Sequence, residues 1–215
     1  MSVTEGGAEP DKRSLRRRIL SMRSRLPQHD VEGTSLVLAA RARDLTELSR
    51  ARTVAAYVSV GDEPGTLPLL DDLRARGVRV LLPVLLDDND LDWGRYEGPD
   101  SLVEVPRTSR MTLREPGGPR LGPEAVLDAD AVLLPGLAVD DRGMRLGRGG
   151  GSYDRVLARL ERAGADPWLV VLLYDTEVVA RVPVEAHDRP VHAVVTPSGV
   201  RRFPGRAGAP GHRRG

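Results

Sequence analysis

With 215 residues and 32 basic against 31 acidic side chains, the chain is long enough for one compact domain and has a formal charge of only +1. It contains no cysteine, which excludes a disulfide framework, a thiolate metal centre and a cysteine nucleophile, and the charge balance gives no global field toward nucleic acid or an anionic membrane. No apolar run approaches the roughly 18 residues of a membrane span, and MSVTEGGAEPDKRS has no basic segment followed by an apolar one, so a cytoplasmic protein is expected.

Residues 1–10 and 204–215 are rich in Gly, Pro, Ala and Arg without periodicity and read as disordered ends, leaving a single domain over 11–203. From Asp11 to Leu26 the apolar residues Leu15, Ile19, Met22 and Leu26 recur at helical spacing and predict an amphipathic helix with that stripe inward. Lys12 and Arg16, four apart, share a face at the edge of the stripe, whereas Arg13 and Arg17 turn to water. Lys12 is the only lysine in the chain. Where arginine fills every other cationic position, a retained lysine marks a place for a compact ammonium instead of a planar fork, unless it survives by chance. A second helix is predicted over Val31 to Leu45, with Gly33 weakening it.

Short apolar runs follow. Thr53 to Val60, Val78 to Val84, Ala131 to Leu134, Trp168 to Leu173 and Ala193 to Thr196 have the length and composition of buried strands. Helical segments near Gly65 to Arg76 and Tyr153 to Ala163 alternate with them. This pattern predicts an α/β fold with a mainly parallel, mixed central sheet and helices on both faces. Ligands of such sheets collect at the carboxyl ends of the strands. Between Asp87 and Gly122 the chain is polar and proline-rich; Leu91, Trp93 and Tyr96, then Met111 and Leu113, predict short strands on an irregular flank.

The stretch Pro135 to Arg155, PGLAVDDRGMRLGRGGGSYDR, carries the chemistry. Gly147, Gly149, Gly150 and Gly151 let successive amides approach an anion. Ser152 reads as the N-cap of a helix whose first N–H groups face the same anion. Arg145 and Arg148 supply forks for phosphate oxygens, and Asp154 offers the hard oxygen that Mg²⁺ prefers. A plain surface loop is the competing reading. Neither a Rossmann turn nor a P-loop fits, because Asp140 to Arg145 separate the glycines from their strand and no Gly-Lys-Ser or Gly-Lys-Thr occurs. His187 and His192 read as structural or exposed, not as a metal pair. A noncatalytic role for the arginine-rich first helix, binding RNA or an acidic partner, is disfavoured by the near-zero net charge and the scarcity of aromatics for stacking.

Together these pieces resemble the 5-formyltetrahydrofolate cyclo-ligase family over about Lys12 to Thr196. The likeness rests on PGLAVDDRGMRLGRGGGSYDR, supported by KRSLR, YVSVGDEPGT, LLPV, REP and VPVEAHDRPV in the same order. It implies a single-domain enzyme that uses ATP and Mg²⁺ to close 5-formyltetrahydrofolate into 5,10-methenyltetrahydrofolate; a monomer with no nucleic-acid or membrane partner is expected. By this likeness Lys12, Arg13, Ser14, Leu15 and Arg16 contact ATP, and Arg145, Leu146, Gly147, Arg148, Gly149, Gly150, Gly151, Ser152 and Tyr153 wrap its phosphates. Arg145, Arg148 and Tyr153 would be catalytic. Val58, Glu63 and the segment Arg148 to Ser152 would hold the folate, and Asp154 with Asp188 the metal. The chain departs from the family pattern at Ser152, where a tyrosine is usual, at Val139, where phenylalanine is usual, and at Gly150, a position that can carry lysine. Another ATP-dependent enzyme of the same scaffold, acting on a different amide or pterin-like substrate, is the alternative.

Overall fold

A computed structural model describes residues 11–108, 111–185 and 188–204. The expected disordered ends lie outside this range, apart from Pro204. Chain order begins with α1 (Lys12–Arg23), α2 (Gln28–Ala42), α3 (Thr46–Ser49), β1 (Thr53–Ala55), α4 (Leu67–Ala75), β2 (Arg79–Leu85) and β3 (Leu91–Arg95). Then follow β4 (Leu102–Thr108), β5 (Met111–Pro116), β6 (Ala131–Leu134), β7 (Ala138–Val139), β8 (Arg145–Leu146), α5 (Ser152–Arg162), β9 (Trp168–Leu172), β10 (Ala193–Thr196) and β11 (Gly199–Arg202). Seven strands form the main sheet in the order β11-β10-β9-β6-β1-β2-β3. The five inner strands are mutually parallel, and β3 and β11 close the edges antiparallel, so the expected mixed α/β sheet is present.

Side-chain alternation divides the core in two. Ala131 and Leu133 face one cluster with Leu38 of α2 and Leu69, Leu70 and Leu73 of α4. Their neighbours Val132 and Leu134 face another with Val156 and Leu160 of α5. A strand buried on both faces must be apolar at every position, which is why AVLL contains no polar residue.

A third, smaller cluster joins Leu15 and Ile19 of α1 to Leu137, Ala138, Leu146 and Val182. It seats α1 on the β7–β8 hairpin rather than on the main sheet.

Several elements differ from expectation. The strand expected over Thr53 to Val60 ends at Ala55, with one more bond from the Ala56 N–H to the Leu81 carbonyl, and farther on side chains take over its backbone groups: Ser59 N–H donates to Thr66 Oγ1 at 2.9 Å and Val60 N–H to Glu63 Oε2 at 2.9 Å. α1 ends at Arg23, and Met22 and Leu26 are exposed where burial was expected. Arg23 occupies the inward position instead, its Nε and Nη2 bonded to Glu177 and the Gly136 carbonyl, while Nη1 is buried without a hydrogen-bond partner among the described residues. α2 starts three residues early, behind the extended Pro27, and Leu45 opens α3. Gly151, not Ser152, is the N-cap of α5; its φ of 80° is a left-handed geometry that glycine adopts at least cost. The flank expected between Asp87 and Gly122 contains β3 and the β4–β5 hairpin, and Tyr96 lies just beyond β3. The β7–β8 hairpin occupies the residues that separate β6 from the glycines.

Candidate active site

Asp11 caps α1 by accepting the Ser14 N–H at 2.6 Å, which fixes the first turn and the direction of Lys12 and Arg16. Arg16 Nε donates to the Gly147 carbonyl at 2.9 Å, so the opening helix is bonded directly to the glycine loop. Lys12 Nζ lies 2.7 Å from Asp188 Oδ2 and 3.3 Å from a Glu185 oxygen. Asp188 Oδ2 also accepts the Glu185 N–H. Lys12, Arg13, Arg16, Arg145, Gly147, Gly149, Asp154 and Asp188 all line one cavity of about 600 Å³. The expected turn of Arg13 and Arg17 to solvent is observed. Leu15, in contrast, points its side chain into the third core cluster.

Beside this cavity lies a second of about 260 Å³, lined by Val58, Glu63, Arg148 to Asp154, and an apolar wall of Pro83, Leu85, Leu91, Met111 and Leu113. Arg145, Gly147, Gly149 and Asp154 border both cavities. The Arg145 guanidinium is almost fully buried between them, donating to the Pro135 carbonyl at 2.9 Å and approaching Asp154 Oδ1 at 3.4 Å. Burial pulls its pKa down, while Asp154 and Tyr153 pull it up. Asp154 and Asp188, the expected metal pair, border the same cavity, but among the described residues no cluster of three ligating side chains forms.

Glu63 is buried at the turn after β1. One oxygen accepts the Val60 N–H at 2.9 Å, and the other pairs with Arg148 Nε at 3.0 Å. Tyr153 is held nearby on the first turn of α5. Its hydroxyl is buried without a hydrogen-bond partner among the described residues. Burial, reinforced by the Glu63 charge, pushes its pKa well up, so the phenol keeps its proton and is a donor at neutral pH. No side chain caps α5, so its first-turn N–H groups stay open to an anion.

Two supports escaped the sequence reading. Asp140, fully buried, accepts the Arg142, Met144 and Val182 N–H groups at 3.0 to 3.1 Å and pairs with the Arg142 guanidinium at 2.6 Å. It closes the β7–β8 hairpin that delivers Arg145. Buried Arg23 pairs with Glu177, and the signal for it was present: it follows Leu15 and Ile19 at four-residue spacing. His192 serves the fold, its Nδ1 accepting the Leu169 N–H at 2.8 Å; His187 lies outside the described residues.

Comparison with known proteins places this geometry. The 5-formyltetrahydrofolate cyclo-ligase family model matches residues 8–197. A 5-formyltetrahydrofolate cyclo-ligase of Mycolicibacterium smegmatis is 41% identical over 191 residues, covering 86% of this chain and 93% of that protein. One of Escherichia coli K12 is 37% identical, covering 70% and 80%. The solved 5,10-methenyltetrahydrofolate synthetase of Aquifex aeolicus superposes with a TM-score of 0.73 at 28% identity, covering 94% of this chain and 98% of that one. With the match spanning both α1 and the glycine loop that α1 contacts, the chain belongs to the 5-formyltetrahydrofolate cyclo-ligase family.

Proposed function

We propose that this enzyme closes 5-formyltetrahydrofolate to 5,10-methenyltetrahydrofolate at the expense of ATP, releasing ADP and phosphate. One observation carries the reading: a charged cavity shared by α1 and the glycine loop, lined by four basic and four acidic side chains, abuts a mostly apolar cavity containing Glu63, with Arg145 bordering both. The first suits a triphosphate and the second a flat folate ring.

An N-formyl oxygen is a poor leaving group, and the attached carbon is a poor electrophile. Attack of that oxygen on the γ-phosphorus, with ADP departing, turns it into a phosphate ester. The neighbouring folate nitrogen then attacks the activated carbon, loses its proton, and phosphate leaves as the five-membered ring closes. In this reading Lys12 and Arg16 hold the triphosphate from one side, and the amides of Gly147 and Gly149, which line the same cavity, hold it from the other. Arg145 and Arg148 neutralise charge on the transferring phosphoryl group, which is mainly a matter of positioning and electrostatics. Glu63 and Tyr153 offer an acceptor and a donor to the folate head, and Val58 packs against it. Asp154 and Asp188 are hard oxygen donors bordering the triphosphate cavity, suited to Mg²⁺ that keeps most of its remaining ligands from phosphate and water. When bound there, Mg²⁺ would offset phosphate charge. A monomer acting in the cytoplasm is part of this proposal.

Incubation with ATP, Mg²⁺ and 5-formyltetrahydrofolate tests this through the ultraviolet absorbance of the methenyl product. Product appearing with ADP in equal amounts is expected. ADP without product would point to a different acceptor, and neither would end the reading.

A further inference from the structure

Arg23 is 2% exposed, at the far end of the helix that carries Lys12 and Arg16. Its Nε and Nη2 donate to the two Glu177 oxygens at 2.6 and 2.8 Å, and Nη2 also reaches the Gly136 carbonyl at 2.8 Å. The preceding carbonyl, that of Pro135, is the one Arg145 holds. Two arginines from different elements therefore grip adjacent peptides of the turn after β6. Glu177 also accepts the Tyr174 N–H at 3.1 Å, and the Tyr174 hydroxyl donates to the Asp62 carbonyl at 3.3 Å, next to Glu63. The Tyr174 ring lies 5.7 Å from the Arg23 guanidinium carbon. Arg23, Glu177, Tyr174 and Asp62 line neither of the two cavities.

A buried ion pair is a weak stabiliser, because desolvation cancels most of its attraction and an apolar pair of similar volume often does as well. Its geometry gives it a different use. We propose that Arg23 is a positioning residue for the cyclisation: through Gly136 it aligns the turn that anchors Arg145, and through Glu177 and Tyr174 it aligns the turn that carries Glu63. One guanidinium thus sets the register of the two substrate cavities. The planar fork is essential, since three acceptors in different directions cannot be served by a point charge.

The proposal rests on reading those cavities as triphosphate and folate sites. Its test is steady-state kinetics of Arg23→Lys and Tyr174→Phe, each well below its own melting midpoint, beside a fluorescent ATP analogue titrated without folate. Arg23→Lys should lose about ten-fold or more in kcat/KM for both substrates and bind the analogue more weakly, because small misplacements of reacting groups are costly. Tyr174→Phe, which removes only the tie to Asp62, should raise KM for 5-formyltetrahydrofolate several-fold and leave ATP unaffected. Wild-type kinetics in Arg23→Lys, with only a lowered midpoint, would reduce the pair to a structural one. If Arg23→Lys does not fold, an unchanged folate KM in Tyr174→Phe overturns the proposal. Failure of the unaltered enzyme to make methenyl product would instead overturn the functional reading.

Discussion

Lys12 is the residue at which composition and geometry meet. Its ammonium sits between Asp188 and Glu185, at the border of the charged cavity shared with the glycine loop. A larger, planar guanidinium placed there would keep the charge but change its reach. Lys12→Arg should therefore raise KM for ATP about five-fold, equivalent to about 1 kcal/mol, with little change in the folate KM; equal ATP kinetics in the two proteins would count against a phosphate contact. Asp154 presents its carboxylate at the boundary of the two cavities, about half exposed. Asp154→Ala should lower turnover by about a hundred-fold and weaken its dependence on Mg²⁺ concentration. Near-normal rates with the same Mg²⁺ dependence would remove the metal role.

The β7–β8 hairpin is the element on which the site turns, since it seats α1 on one side and presents Arg145 on the other. Two-residue strands have too few ladder bonds to hold themselves, and Asp140 supplies the difference. Burial opposes its ionisation, but the Arg142 guanidinium and the Val182, Met144 and Arg142 N–H groups outweigh it and hold the carboxyl below the usual range of 3.8. A folded pKa below the unfolded one means stabilisation that is complete above about pH 4 and is lost as pH falls through the folded value. Asp140→Asn should cost about 3 kcal/mol at pH 7, read as a lowered melting midpoint. The gap between the two proteins should narrow in the range below pH 4. A gap that is constant across pH would mean the carboxylate charge contributes nothing. None of this is legible in the sequence, because the hairpin residues carry no strand signature and the partner Val182 is 42 positions away.

At the scale of the molecule, the sequence was most readable where burial is complete. Ala131 to Leu134 and Ala193 to Thr196 are strands with the boundaries expected, because strands covered on both faces are almost wholly apolar and their ends are marked by polar residues. The glycine loop was readable for a related reason: its composition serves backbone approach and little else. Other features depended on contacts across the chain. Arg23 broke the hydrophobic stripe of α1 because Glu177, 154 residues later, pairs with it. β11 was missed because GVRR is an edge strand with two exposed arginines and carries no core-strand signature. The wall of Leu85, Leu91, Met111 and Leu113 could not be assembled without knowing how the β4–β5 hairpin lies. What the fold achieves as a whole is to bring the first helix and a loop more than a hundred residues later to one cavity, where the proposed mechanism puts the triphosphate. The decisive measurement follows the formyl oxygen itself. With a heavy-oxygen label in the formyl group of 5-formyltetrahydrofolate, mass analysis of the inorganic phosphate released during one turnover should find one labelled oxygen in each phosphate. Unlabelled phosphate, formed alongside methenyl product, would contradict the account.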